Sequence, residues 1–129
     1  MERTQETKKL KILLVEDVMM FLSIAQELLK DHYIKTAKTA KEAVDVYSSY
    51  KPDITFLDIA LPDGTGHDVL KNIREIDKSA YVIMVTASRA QEDIDLAVKN
   101  GANGYIMKPY SHENISSSIE EYLLKNTKA

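Results

Sequence analysis

Five positions carry side chains whose chemistry combines: the acidic pair Glu16-Asp17, then Asp58, Thr86 and Lys108. Each follows directly on a short apolar run, namely Ile12-Leu13-Leu14-Val15, Ile54-Thr55-Phe56-Leu57, Tyr81-Val82-Ile83-Met84-Val85 and Tyr105-Ile106-Met107. If these runs are parallel strands of one open sheet, their carboxyl ends share a crevice, and ligands bind in such a crevice. Three carboxylates facing one ammonium repel one another unless a cation joins them. Oxygen ligands without His or Cys favour a hard ion. Mg²⁺ fits best, because it takes one or two carboxylates, keeps waters and bridges to phosphate. A carboxylate, a metal, a hydroxyl and an ammonium together suit phosphoryl transfer, with Asp58 forming an aspartyl phosphate. The metal and Lys108 would neutralise charge on the transferring oxygens, and Thr86 would donate a hydrogen bond to them.

The rest of the chain supplies the elements this requires. The four apolar runs are too short for buried helices and are rich in β-branched or aromatic residues, so they read as strands. A weaker strand is expected at about residues 32–37, around Tyr33-Ile34. Between the strands, apolar residues recur at three and four positions: Phe21, Ile24 and Leu28; Ala43, Val44 and Tyr47; Val69, Leu70 and Ile73; Ile94, Ala97 and Val98; Ile115, Ile119, Tyr122 and Leu123. That is helical spacing. Pro52-Asp53 and Gly101 act as stop signals, and Ser111 with Asn114 marks the start of the last helix. Five strands alternating with five helices predict an α/β fold, a doubly wound parallel sheet covered on both faces. The most apolar strands, the first and third, belong inside and the polar second at an edge, which gives the flavodoxin-like order 2-1-3-4-5. Residues 1–9 read as a polar tail and 10–129 as one domain.

In this order and spacing, Glu16-Asp17, Asp58, Thr86-Ala87 and Lys108-Pro109 resemble the receiver domain of two-component response regulators, in its single-domain, chemotaxis-regulator-like form. Leu61-Pro62-Asp63-Gly64-Thr65-Gly66 resembles the family's loop after the phosphoacceptor, and Gly101-Ala102-Asn103-Gly104-Tyr105 its run into the last strand. The resemblance spans residues 9–124 and implies a role for each match. Asp58 is the expected phosphoacceptor. Asp17 and Asp58 are expected to ligate Mg²⁺, with Glu16 acting through a water and the backbone carbonyl of Ala60 completing the set. Lys108 would pair with the phosphoryl group, Thr86 would move to bond it, and Tyr105 would change rotamer in response, altering the face of the fourth helix, fifth strand and fifth helix. The Lys108–Pro109 peptide is expected to be cis. Met19, Ser88 and Pro109 are expected to flank the site. Neither Ala60 nor Ser88 is acidic or an amide, so no group would position a hydrolytic water, and a slow loss of phosphate is expected.

The resemblance implies a signalling domain that catalyses its own phosphorylation and dephosphorylation, not a metabolic enzyme. A sensor histidine kinase or histidine phosphotransfer protein would donate the phosphoryl group, and an unnamed output protein would read the result. The alternative is a haloacid-dehalogenase-like phosphatase. There, however, the nucleophile follows the first strand with a second Asp two residues on, whereas here Asp58 follows the third and Ala60 stands at that position. A flavin-binding module is disfavoured because Glu16-Asp17-Val18-Met19 would repel a phosphate. The 129-residue chain has no cysteine, which excludes a zinc-thiolate site and a thiol nucleophile. Its net charge of −3 disfavours direct nucleic-acid binding. No run is long enough to insert in a membrane, and the polar N-terminus lacks the apolar stretch of a signal peptide. A cytoplasmic location is therefore expected. His32, His67 and His112 show no metal-ligand spacing and are expected at the surface.

Overall fold

The computed structural model describes residues 9–126; most of the expected polar tail lies outside them. The chain runs β1 (Lys11–Val15), α1 (Met19–Leu28), β2 (Tyr33–Ala37), α2 (Ala40–Tyr50), β3 (Ile54–Asp58), β4 (Ala60–Leu61), β5 (Gly64–Thr65), α3 (Gly66–Ile76), β6 (Val82–Thr86), α4 (Gln91–Lys99), β7 (Gly104–Met107) and α5 (His112–Asn126). Five strands form one parallel sheet in the order β2-β1-β3-β6-β7, which is the expected doubly wound arrangement. Side chains alternate across the sheet. Ile12, Leu14, Ile54, Phe56, Ile83 and Val85 meet α1 and α5 on one face. Leu13, Val15, Leu57, Val82 and Met84 meet α2, α3 and α4 on the other.

Helix starts follow from local hydrogen bonding. Thr39 accepts from the Glu42 N–H, and Glu42 in turn accepts from the Lys38 N–H. Ser111 and Asn114 cap each other's backbone N–H at 3.0 Å. Gly101, with φ +83, follows the C-terminus of α4, where a left-handed residue lets the chain turn away. Arg74 of α3 anchors that turn: its guanidinium donates to the carbonyls of Ala80 and Gly101 and to the Asn103 side chain.

The hairpin of β4 and β5 was not foreseen from the sequence. Ala60 pairs with Thr65 and Leu61 with Gly64, around the Pro62-Asp63 turn. Asp63 does more than turn chemistry, because its carboxylate accepts from the Ala40 and Lys41 N–H groups at 2.6 and 3.1 Å. The loop after β3 is thereby tied to the start of α2, and these bonds hold the Asp63 carboxyl below its ordinary pKa. Among the described residues, no helix is long and apolar enough to cross a membrane.

Candidate functional site

Strand register brings the reactive groups together. Val15 lies opposite Leu57, so the residues that follow, Glu16 and Asp58, emerge side by side. Asp58 lies opposite Val85, and Thr86 opposite Met107, which sets Thr86 and then Lys108 at the same edge. The groups border a cleft of about 470 Å³ lined by Asp17, Phe21, Asp58, Thr86, Ser88 and Lys108, among others. Ligand oxygens of Glu16, Asp17 and Asp58 all lie within 4.8 Å of one another.

Lys108 holds the centre. Its Nζ lies 2.8 Å from Oε1 of Glu16 and 3.0 Å from Oδ2 of Asp58, and 4.4 Å from the centroid of the Phe21 ring. Glu16 is fully buried. Besides Lys108, it accepts from the Val18 N–H at 3.2 Å and the Tyr110 hydroxyl at 3.3 Å. Burial raises its pKa, the hydrogen bond from Lys108 opposes that rise, and the Asp58 carboxylate adds to it. Burial likewise raises the Tyr110 phenol, helped by the charges of Glu16 and Asp58, so it stays protonated and donates. Asp58 is buried and takes the Ala60 N–H on Oδ1 at 3.1 Å. Thr86 is buried, its hydroxyl fixed by the Ser88 N–H at 3.0 Å. Asp17 is exposed and faces the cleft.

The remaining sequence-predicted residues are placed less closely. Ala60 and Ser88 line the cleft, whereas Met19, Pro109 and Tyr105 are not among its lining residues. Met19 is 58% exposed. The Lys108–Pro109 peptide is cis, as expected. Tyr105 packs with the α2–α3–α4 core, and its hydroxyl is buried without a partner. Sequence reasoning missed Tyr110, which lies 94 residues from Glu16 and carries no periodic signal. Phe21, whose spacing marks the helix 1 stripe and whose place in the Met19-Met20-Phe21 cluster allows either the core or the site, sets its ring beneath Lys108 at the cleft. The histidines are a correction: His67 is buried and His32 half-buried, and only His112 is exposed. His67 shares the apolar stripe of α3 with Leu70 and Ile73.

A model of the response regulator receiver domain matches residues 12–120. The chain belongs to that family. It is 33% identical over 115 residues to a chemotaxis protein CheY of Halobacterium salinarum, covering 88% of this chain and 96% of the relative. It is 35% identical over 115 residues to the Listeria monocytogenes CheY, covering 87% and 97%. A CheY-like receiver from Methanospirillum hungatei superposes with a TM-score of 0.85 at 27% identity, over 92% of this chain and 96% of that one. A CheX–CheY–BeF3–Mg complex from Borrelia burgdorferi superposes with a TM-score of 0.80 at 27% identity, over 88% of each chain. As a receiver of two-component systems, the domain is a phosphorylation-activated signalling switch, and its acidic cleft suits Mg²⁺.

The charge balance of the receiver's cleft makes one outcome measurable without phosphorylation. Lys108→Met strands two buried carboxylates, and stability at pH 7 falls by about 3 kcal/mol in metal-free urea titrations. The folded protein holds the Glu16 proton more tightly than the unfolded chain, so this group's contribution declines as pH rises through its raised pKa. The loss on Lys108→Met therefore shrinks as pH falls into the carboxylate range. A loss that is the same at pH 7 and pH 4.5 would contradict this assignment of charge.

Proposed function

We propose that Asp58 is the phosphoacceptor and that the phosphohistidine of a sensor kinase or phosphotransfer protein is its donor. The observation that carries the reading is the single ammonium of Lys108 shared between Glu16 and Asp58. Three carboxylates cluster within 4.8 Å of one another, and Lys108 pairs with two of them, a charge set that a divalent metal and a phosphoryl group complete. The donors fit Mg²⁺, since all are oxygens and Asp17 is open to solvent. Asp17, Asp58 and the Ala60 carbonyl would hold the ion, with Glu16 reaching it through water; bound there, it would neutralise charge on the phosphoryl oxygens.

The chain's own groups do the rest. The Ala60 N–H fixes Oδ1 of Asp58; Oδ2, beside the Lys108 ammonium, would attack phosphorus as the P–N bond to the donor's imidazole breaks and the histidine leaves. Lys108 keeps its place over Phe21 as charge on the phosphoryl group replaces that on Asp58. Thr86 exchanges the Ser88 N–H for a phosphoryl oxygen, and Tyr105 responds on the same side of the sheet, altering the α4–β7–α5 face that an output protein reads. A partner is controlled only if its affinity differs between the two states.

The test is intact mass spectrometry after incubation with acetyl phosphate, with and without Mg²⁺, followed by peptide mapping. One phosphoryl group, dependent on Mg²⁺ and located at Asp58, is the expected result; label at another residue overturns the reading. The same samples report phosphate lifetime. With Ala60 and Ser88 beside the site, the label decays slowly, and Ser88→Glu shortens its half-life. An unchanged half-life would remove Ser88 from that role.

A further inference from the structure

Gly66 and His67 join the site to a helix that otherwise touches it little. A Cβ on Gly66 would lie 2.3 Å from the carbonyl oxygen of Asp58, and the Gly66 N–H donates to the Ile59 carbonyl at 2.7 Å. The next residue, His67, is 7% exposed. Its Nε2 lies 3.1 Å from Oδ1 of Asp93, in the first turn of α4. Against an ionised carboxylate, this contact is a donation from Nε2–H. The start of α4 has little else to hold it: Ala90 supplies no side-chain cap, and Ala97 is the one buried residue of the helix. A weakly packed helix is therefore fastened at its N-terminal end by one half-buried polar contact.

Two more groups report on the same place. Nδ1 of His67 and the Tyr105 hydroxyl are both buried without a partner. Burial raises the Tyr105 pKa, and the Asp93 carboxylate raises it further, so Tyr105 feels the residue that His67 holds. Polar atoms left unpaired in the interior are costly. They favour a second arrangement of this region in which such groups find partners, which is what a two-state element needs.

We propose that His67 is a positioning residue of the switch: through Asp93 it pins the start of α4 to the segment that touches the Asp58 backbone, and so holds the resting arrangement of that helix. The link to phosphorylation rests on the reading of Asp58 above, whereas the pin itself exists without phosphate. The first test is therefore amide hydrogen exchange in the unphosphorylated protein. His67→Leu keeps apolar volume but removes the donor, and His67→Gln returns an N–H near the place of Nε2. In His67→Leu the α4 amides exchange about tenfold faster than in wild type, with α1 and α2 unchanged. Asp93→Ala gives the same rise, the double variant adds nothing, and His67→Gln restores slow exchange. Unchanged α4 exchange, an equal rise in every helix, or failure of His67→Gln to rescue each overturns the pin.

The second test is the rate of labelling by acetyl phosphate. Releasing the resting arrangement populates the competent one, so His67→Leu labels about threefold faster than wild type. An equal or slower rate overturns the coupling. A wild-type protein that takes no label refutes the Asp58 reading instead, and the exchange data then decide the pin by themselves.

Discussion

Asp58→Asn protein takes up no phosphoryl group from acetyl phosphate at any Mg²⁺ concentration, yet it resists urea better than wild type in metal-free buffer. The first half follows because a carboxamide oxygen does not serve as the nucleophile a carboxylate provides. The second follows from the charge count at Lys108. Two buried carboxylates, Glu16 and Asp58, share this ammonium, with Asp17 clustered beside them, and Asp58 is one cause of the raised pKa of Glu16. Removing the Asp58 charge leaves Glu16 and Lys108 as a matched pair and relieves about 1 kcal/mol of repulsion. The gain shrinks as Mg²⁺ is added, because a ligand of the native state stabilises wild type by mass action. Urea midpoints with EDTA and with Mg²⁺, read beside intact masses, separate the two effects. A variant that still labels would place the phosphoacceptor elsewhere, and one less stable than wild type without metal would show that Lys108 needs both carboxylates.

The second large effect is at Gly66. A methyl there meets the Asp58 carbonyl oxygen at 2.3 Å, the Ile59 Cα at 2.9 Å and the Asp58 carbonyl carbon at 3.0 Å. All three are backbone atoms, so no rotamer change relieves the clash. Either α3 retreats from the sheet or the end of β3 bends. Gly66→Ala is expected to cost about 3 kcal/mol. Because the displaced backbone is that of Asp58, the proposed phosphoacceptor, labelling falls about 100-fold in whatever protein remains folded. Gly64→Ala is the control: its Cβ would meet only the Ala40 Cβ at 3.6 Å, an ordinary contact. Thermal unfolding and labelling of both variants check the contrast; equal behaviour would show that the turn, not the close approach at Gly66, sets the cost.

Much of this was readable from residue types and spacing. Runs such as Ile12–Val15 and Val82–Val85 alternate between two buried faces, so they marked strands with helices on both sides. Strand order then followed from the polarity of Tyr33-Ile34-Lys35, and parallel register carried Glu16, Asp58, Thr86 and Lys108 to one edge. Sequence reasoning failed where a residue's role depends on a distant element with no common period. Tyr110 reaches Glu16 from just after the last sheet strand. Asp63 caps α2 because a two-stranded hairpin carries it there. His67 was taken for a surface residue although it stands three before Leu70 on the buried stripe of α3. That spacing was visible, but the partner that satisfies it, Asp93, sits on another helix.

The guanidinium of Arg74 has a mechanical consequence. It grips the chain at Gly101 and Asn103, just beyond α4, and at Ala80, just before β6. Any displacement of α4 that keeps these bonds is a rotation with its fulcrum at Gly101, and the helix is the lever. Nine residues give an arm of about 13 Å. A swing of about 10° carries Gln91, at the far end, through about 2 Å and leaves Lys99 nearly still. Surface change is thus graded along the helix, greatest beside the cleft and least at the Arg74 clamp, and a partner gripping only the Lys99 end would sense almost nothing.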